Sequence, residues 1–203
     1  MVKVKICGIT NLEDALAAFF NGADALGFVF YKKSPRYIAP VKASLISRIL
    51  PERIKRIGVF VNAKEKEVKR IASLCKLDML QFHGDETPEF CLRFAGYKVI
   101  KAFRVNEGFR FCSLARYKKC ALLFDNFSEN KYGGTGKKFD WNLLREIGKI
   151  NHPVFLSGGL TCFNVMHAIN SFKPDWVDVS GGVEERLGKK NHKKIKNFIK
   201  LLK

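Results

Sequence analysis

Two side chains in this sequence are suited to moving protons on a small molecule, a cysteine at position 7 and an aspartate at position 125. Cys7 follows the alternating stretch Val2-Lys3-Val4-Lys5-Ile6, and Asp125 follows the short apolar run 121–124. A thiol and a carboxyl can divide such work, one accepting a proton and the other giving one. A buried structural thiol and a loop-capping carboxylate would leave the same trace, so each residue alone stays open to both readings. Lys5 shares strand parity with Cys7, and its ammonium is expected to lower the thiol pKa.

Two Ser-Gly-Gly turns stand near the end of the chain, Ser157-Gly158-Gly159 and Ser180-Gly181-Gly182. Glycines let backbone N–H groups converge on an anion, and each turn is expected to open into a helix whose N-terminus adds positive potential. Arg36, in the segment Ser34-Pro35-Arg36-Tyr37, can fork onto a carboxylate or stand in solvent. His83, in Gln81-Phe82-His83-Gly84-Asp85, has no evident sequence partner. His152, His167 and His192 read as surface or structural. Gly133-Gly134-Thr135-Gly136-Lys137 is not a P-loop, because Lys131 and Lys138 occupy positions that need glycine and Ser/Thr. With Asp140 as a helix cap after it, it reads as a substrate-covering loop.

These groups need a scaffold that brings distant segments together. The first strand is expected at residues 2–6, and Thr10 with Glu13 forms a capping box for a helix bearing Leu12, Ala15, Leu16, Phe19 and Phe20 on one buried face. The unit then repeats. Strands are expected at 25–30, 57–61, 79–82, 98–101, 121–124, 154–156 and 177–179. Helices are expected at 41–50 and 64–74, after Thr87-Pro88, weakly at 109–117, after Asp140, from Thr161, and on Ile195, Phe198, Ile199 and Leu202. Short apolar strands alternating with helices indicate a parallel sheet buried on both faces. Eight units indicate an α/β fold, a single-domain (β/α)8 TIM barrel over residues 1–203 with short loops, and an open doubly wound sheet is the alternative. In such a barrel the chemistry sits where strands end, and Cys7, Asp125 and both Ser-Gly-Gly turns fall there. The last two turns are then in the usual phosphate-binding position.

Of the 203 residues, 37 are Lys or Arg and 19 Asp or Glu, a formal charge of +18. Residues 31–70 and 186–203 carry almost all of the excess. A basic nucleic-acid-binding protein is the alternative function from another class. It would interleave aromatics with lysines, whereas the last helix keeps its apolar residues in one stripe. No apolar run reaches membrane-spanning length and no signal peptide is evident, so a cytoplasmic protein without membrane attachment is expected. Six cysteines without C-x-x-C or zinc-ligand spacing indicate reduced thiols and no metal. Cys75, Cys91, Cys112 and Cys162 read as core filler.

The chain resembles the phosphoribosylanthranilate isomerases of tryptophan biosynthesis. The resemblance rests on KICGIT at 5–10, GADALGFVFYKKSPRYI at 22–38, GVFVN at 58–62, LQFHGDE at 80–86, FD at 124–125, YGGTGKKFDW at 132–141, LSGGL at 156–160 and VDVSGGVE at 177–184. It implies a cofactor-free Amadori rearrangement of N-(5-phosphoribosyl)anthranilate to 1-(2-carboxyphenylamino)-1-deoxyribulose 5-phosphate. By the same resemblance Cys7 is the general base, Asp125 the general acid and Arg36 the partner of the substrate carboxylate. Gly158, Gly159, Ser180, Gly181 and Gly182 hold the phosphate, with His83 and Gly134 as further candidate contacts. Gly181 departs from the serine usual in the family, Asn126 from Thr or Ser, and Leu187 from a common proline. The histidine-pathway isomerase is the second enzyme reading, but it has an acidic residue in place of Cys7. The implied partner is a small phosphoribosyl molecule, with no nucleic acid, for a monomer or homodimer. The basic surface would attract so anionic a substrate.

Overall fold

The computed structural model describes residues 1–106, 109, 111–126 and 152–203. Eight parallel strands close into a barrel in sequence order. They are β1 (Lys3–Cys7), β2 (Ala25–Val29), β3 (Lys55–Phe60), β4 (Met79–Phe82), β5 (Lys98–Val105), β6 (Cys120–Asn126), β7 (Val154–Leu156) and β8 (Trp176–Val179). The seam is the pairing of β8 with β1, in which Lys5 lies opposite Asp178. A (β/α)8 barrel is thus the architecture, and the open-sheet alternative is excluded.

Around the strands lie α1 (Leu12–Phe20), α2 (Pro40–Ile49), α3 (Glu65–Leu74), α4 (Pro88–Leu92), α5 (Val165–Phe172) and α6 (His192–Lys200). The weak helix near residue 110 is a short 3-10 helix, Phe111–Arg116. Between β8 and α6 the chain forms a small hairpin, β9 (Glu184–Arg186) and β10 (Lys189–Lys190). The helix expected after Asp140 lies outside the described residues. No described helix is long and apolar enough to cross a membrane.

Among the described residues two large apolar layers hold the fold. The larger fills the space between strands and helices, where strand residues such as Ile6, Leu26 and Phe82 meet helix residues such as Ala15, Val68 and Phe198. Ile195, Phe198, Ile199 and Leu202 are all buried there. The charged residues of α6 are therefore left to the outer face, which accounts for one basic segment without a nucleic acid. The smaller layer fills the barrel's interior with Ala25, Ile57, Ile100, Leu123, Phe155 and Trp176. Phe155 and Trp176 stack with centroids 4.9 Å apart. This layer packs the lower part of the barrel, and the Lys3 ammonium lies over the Trp176 ring beneath it.

Local details differ from the sequence expectation in ways that matter for the site. The cap of α1 is Asn11, whose Oδ1 accepts the Asp14 N–H at 2.8 Å, and not Thr10. Thr10 instead donates its hydroxyl to the Gly188 carbonyl at 2.6 Å, tying α1 to the hairpin. Thr161 lies in a turn, and α5 begins only at Val165. Cys75 and Cys91 are core residues, but Cys112 is exposed and Cys162 half-buried. Phe20, expected on the buried face of α1, is the helix's last residue and is exposed. Strands β1 and β6 run one and two residues further than expected, so Cys7 and Asp125 are strand residues held by the sheet ladder.

Candidate active site

Cys7 is the last residue of β1 and lies opposite Gly27 of β2. A Cβ at position 27 would fall 2.7 Å from the Cys7 sulfur and 3.1 Å from Cε of Lys5. Only glycine leaves room for the two inward side chains, a constraint that the spacing of motifs did not reveal. Gly27→Ala should therefore displace the thiol and cut activity about 10²-fold or more. A steady-state assay on the folded variant checks this, and unchanged kcat/KM would show that the thiol position is not critical.

Lys5 sits one turn of the pleat below Cys7 and is completely buried. Its ammonium donates to Asp178 Oδ2 at 2.8 Å and to Gln81 Oε1 at 2.7 Å. Burial works against its charge, but Asp178 and Cys7 outweigh burial and hold the lysine protonated. For the thiol the balance goes the other way. Burial pushes Cys7 above the ordinary cysteine range, and Lys5 pulls against it without prevailing. The expectation of a lowered thiol pKa is thus corrected, because desolvation of a fully buried sulfur exceeds one compensating charge.

Asp125 projects from the end of β6. It is buried, its Oδ1 accepts the Asn126 N–H at 2.8 Å, and its Oδ2 lies 3.3 Å from His83 Nε2. His83 follows β4, and its Nδ1 lies 2.9 Å from the Gln81 amide nitrogen. Cys7, with Lys5 beneath it, and Asp125, with His83 beside it, stand at the C-terminal ends of β1 and β6 on one rim of the closed barrel, and the Arg36 side chain packs against Gly8, next to Cys7.

Arg36 is already forked onto a carboxylate, that of Glu184. Its Nε and Nη2 donate to the two Glu184 oxygens at 2.7 Å each. Lys190 adds a third contact to Glu184 at 2.9 Å. Burial raises Glu184, but Arg36 and Lys190 hold its carboxyl below the usual range. Burial in turn pushes Lys190 down. This triad fixes the plane of the Arg36 guanidinium and leaves its Nη1 edge outside the fork.

The turns after β7 and β8 meet backbone to backbone, since a Cβ on Gly182 would overlap the Leu160 carbonyl. Gly158 and Gly159 have φ of 88° and 70°, which favours glycine at both. Ser180 donates its hydroxyl to the Cys7 carbonyl at 3.0 Å, bringing the second turn beside β1. The expectation that each turn opens into an α-helix is corrected. Gly181–Val183 is a single 3-10 turn followed by the hairpin, and α5 starts six residues after Gly159. Backbone N–H groups, rather than an α-helix dipole, are what this corner offers an anion. Gly134 and its loop lie outside the described residues. Among the described residues no cluster of His, Cys, Asp or Glu is placed to hold a metal.

Residues 4–201 match the family model described as N-(5'-phosphoribosyl)anthranilate (PRA) isomerase. The chain belongs to that family. It is 46% identical over 200 residues to the N-(5'-phosphoribosyl)anthranilate isomerase of Trichlorobacter lovleyi, covering 98% of this chain and 97% of the relative. It is 48% identical to that of Geotalea uraniireducens, covering 98% of each. The crystal structure of phosphoribosyl anthranilate isomerase from Thermotoga maritima matches with a TM-score of 0.87 and 44% identity, covering 98% of each chain. A crystal structure of phosphoribosyl anthranilate isomerase in complex with reduced 1-(o-carboxyphenylamino)-1-deoxyribulose 5-phosphate matches with a TM-score of 0.84 and 44% identity, covering 98% of this chain and 97% of that one.

The isomerase fold brings together Cys7, Asp125, His83, Arg36, Ser180 and the glycine turns. The sequence did not reveal Glu184, Lys190 or Gln81 as their partners. Glu184 was visible only as the end of VDVSGGVE, and Lys190 as one of many basic residues near the C-terminus.

Proposed function

We propose that this isomerase converts N-(5-phosphoribosyl)anthranilate to 1-(2-carboxyphenylamino)-1-deoxyribulose 5-phosphate, with Asp125 as the general acid and Cys7 as the general base. The observation that carries the reading is a buried thiol and a buried carboxyl at strand ends on one barrel rim, with an arginine oriented by Glu184 beside the thiol's strand. Asp125 gives its proton to the furanose ring oxygen, and the C1–O bond breaks as the anilino nitrogen forms the C1=N bond. The Cys7 thiolate then takes the C2 proton, leaving an enolamine that ketonises to the product. Arg36 uses its Nη1 edge for the anthranilate carboxylate. Gly158, Gly159, Ser180, Gly181 and Gly182 hold the phosphate, and His83 and Gly134 complete the contacts. Anchoring both anionic ends keeps C1 and C2 between acid and base.

The enzyme works without a cofactor, as one domain over residues 1–203, in the cytoplasm, as a monomer or homodimer. A dimeric isomerase and monomers made from it are known from Thermotoga maritima. Complementation of a tryptophan auxotroph lacking this isomerase, followed by a direct fluorescence assay of the purified protein, tests the reading. Failure of both would overturn it.

The thiol adds a pH signature. Only the thiolate accepts a proton, and burial places this thiol above its ordinary value. In the free enzyme kcat/KM should therefore still be rising with pH near about 8.5, the ordinary cysteine value. A plateau reached well below neutrality would count against Cys7 as the base.

A further inference from the structure

We infer that Gln81 is a positioning residue for Asp125, acting through the ring of His83. The inference rests on the reading of Asp125 as the proton donor. An ammonium can only donate hydrogen bonds. Lys5 Nζ lies 2.7 Å from Gln81 Oε1, so the amide oxygen is the atom that faces Lys5. The amide nitrogen then faces away, 2.9 Å from His83 Nδ1. An amide N–H also only donates, so Nδ1 must be the bare ring nitrogen. The ring proton is thereby assigned to Nε2, which lies 3.3 Å from Asp125 Oδ2. One buried lysine thus sets, through one amide, which nitrogen a histidine presents to the acid.

The row has the marks of a device for chemistry. Lys5, Gln81 and His83 are 0%, 1% and 8% exposed. Gln81 lies in register between Val59 of β3 and Ile100 of β5, where an apolar residue would continue the inner layer. Buried polar rows are costly unless every member is satisfied. Here the one ring atom left without an aligned partner is His83 Nε2, which is also the atom nearest Asp125. Catalytic hydrogen bonds are often long before substrate binds.

The chemical consequence falls at the first step. When the Asp125 O–H breaks and the ring-oxygen O–H forms, a carboxylate appears beside Nε2. An N–H there donates to the new charge, and His83 keeps its proton throughout. In the other tautomer a lone pair would face that charge. Gln81 therefore raises the rate of proton delivery without touching substrate.

The test uses the full chain labelled with nitrogen-15 histidine. The His83 signals are assigned by their loss in His83→Gln. The expected wild-type spectrum is that of the neutral ring protonated on Nε2, and a ring protonated on Nδ1 would overturn the proposal. In Gln81→Met, which keeps length and removes the donor, the preference for Nε2 should be lost. Its kcat should fall about ten- to a hundredfold, the worth of one hydrogen bond to a charged group, with KM nearly unchanged. Unchanged kcat would overturn the positioning role. Should that variant not fold, the wild-type spectrum still decides. Full turnover in Asp125→Asn would overturn the proposal through its premise whatever tautomer the wild-type spectrum shows, so the two failures are separable.

Discussion

Cys7→Ser and Asp125→Asn should each lower kcat by about 10²–10⁴-fold, the range for removal of a general acid or base. Both changes preserve shape. Serine is slightly smaller than cysteine, so it adds no pressure on Gly27, where a Cβ would fall 2.7 Å from the present sulfur. Its alcohol is far harder to ionise than a thiol, even beside the Lys5 ammonium. Asparagine keeps an oxygen to accept the Asn126 N–H at 2.8 Å. It has no acidic proton to give the ring oxygen. Neither substitution touches Arg36 or the glycine turns, so a reduced product analogue should bind both variants about as well as wild type. Titration calorimetry with the analogue and a single-turnover fluorescence assay separate the two quantities. Turnover near wild type in either variant would remove that residue from the mechanism. Loss of analogue binding would mean that the site had been rearranged rather than disarmed.

The parts of the molecule that could be read from sequence are those set by local spacing. Short apolar strands alternating with amphipathic helices announced the barrel, because strand and helix periodicities are properties of neighbouring residues. Strand ends then gave the placement of Cys7, Asp125 and both glycine turns, since a closed parallel barrel puts every such end on one rim. What escaped is of longer range. Glu184 meets Arg36 across 148 residues, and Gln81 meets Lys5 across 76. Nothing in the pattern around either residue announces its partner. The net pKa direction of Cys7 escaped for a related reason. The sequence shows the neighbouring lysine charge but not the depth of burial that overrides it. Thr10 was misread because the hairpin that captures its hydroxyl lies 178 residues away.

The Arg36–Glu184 fork changes what Arg36→Met should do. Were Arg36 a solvated side chain, its loss would act on substrate alone. It is buried, and its removal leaves a buried carboxylate with one cation fewer. Breaking such a pair ordinarily costs about 3–5 kcal/mol of stability. Lys190 remains 2.9 Å from Glu184 and keeps that carboxylate partly paired, so the loss should fall at the lower end. On the substrate side, losing a hydrogen bond to a carboxylate should raise KM about ten- to a hundredfold with a smaller effect on kcat. Glu184→Gln supplies the control, since it keeps the guanidinium and removes only the charge that orients it. Its KM should rise less than that of Arg36→Met. An unchanged KM in Arg36→Met would exclude the carboxylate role and leave Arg36 as a structural partner of Glu184. Acid provides an independent check. Glu184 is held below its unfolded pKa, so its contribution is present above that value and is lost as pH falls through the folded one. Without Arg36 the depression shrinks, and this acid-dependent part of the stability should shrink with it. Denaturant midpoints of wild type and Arg36→Met should therefore converge as pH falls below about 4, and parallel curves would mean that Lys190 alone holds Glu184.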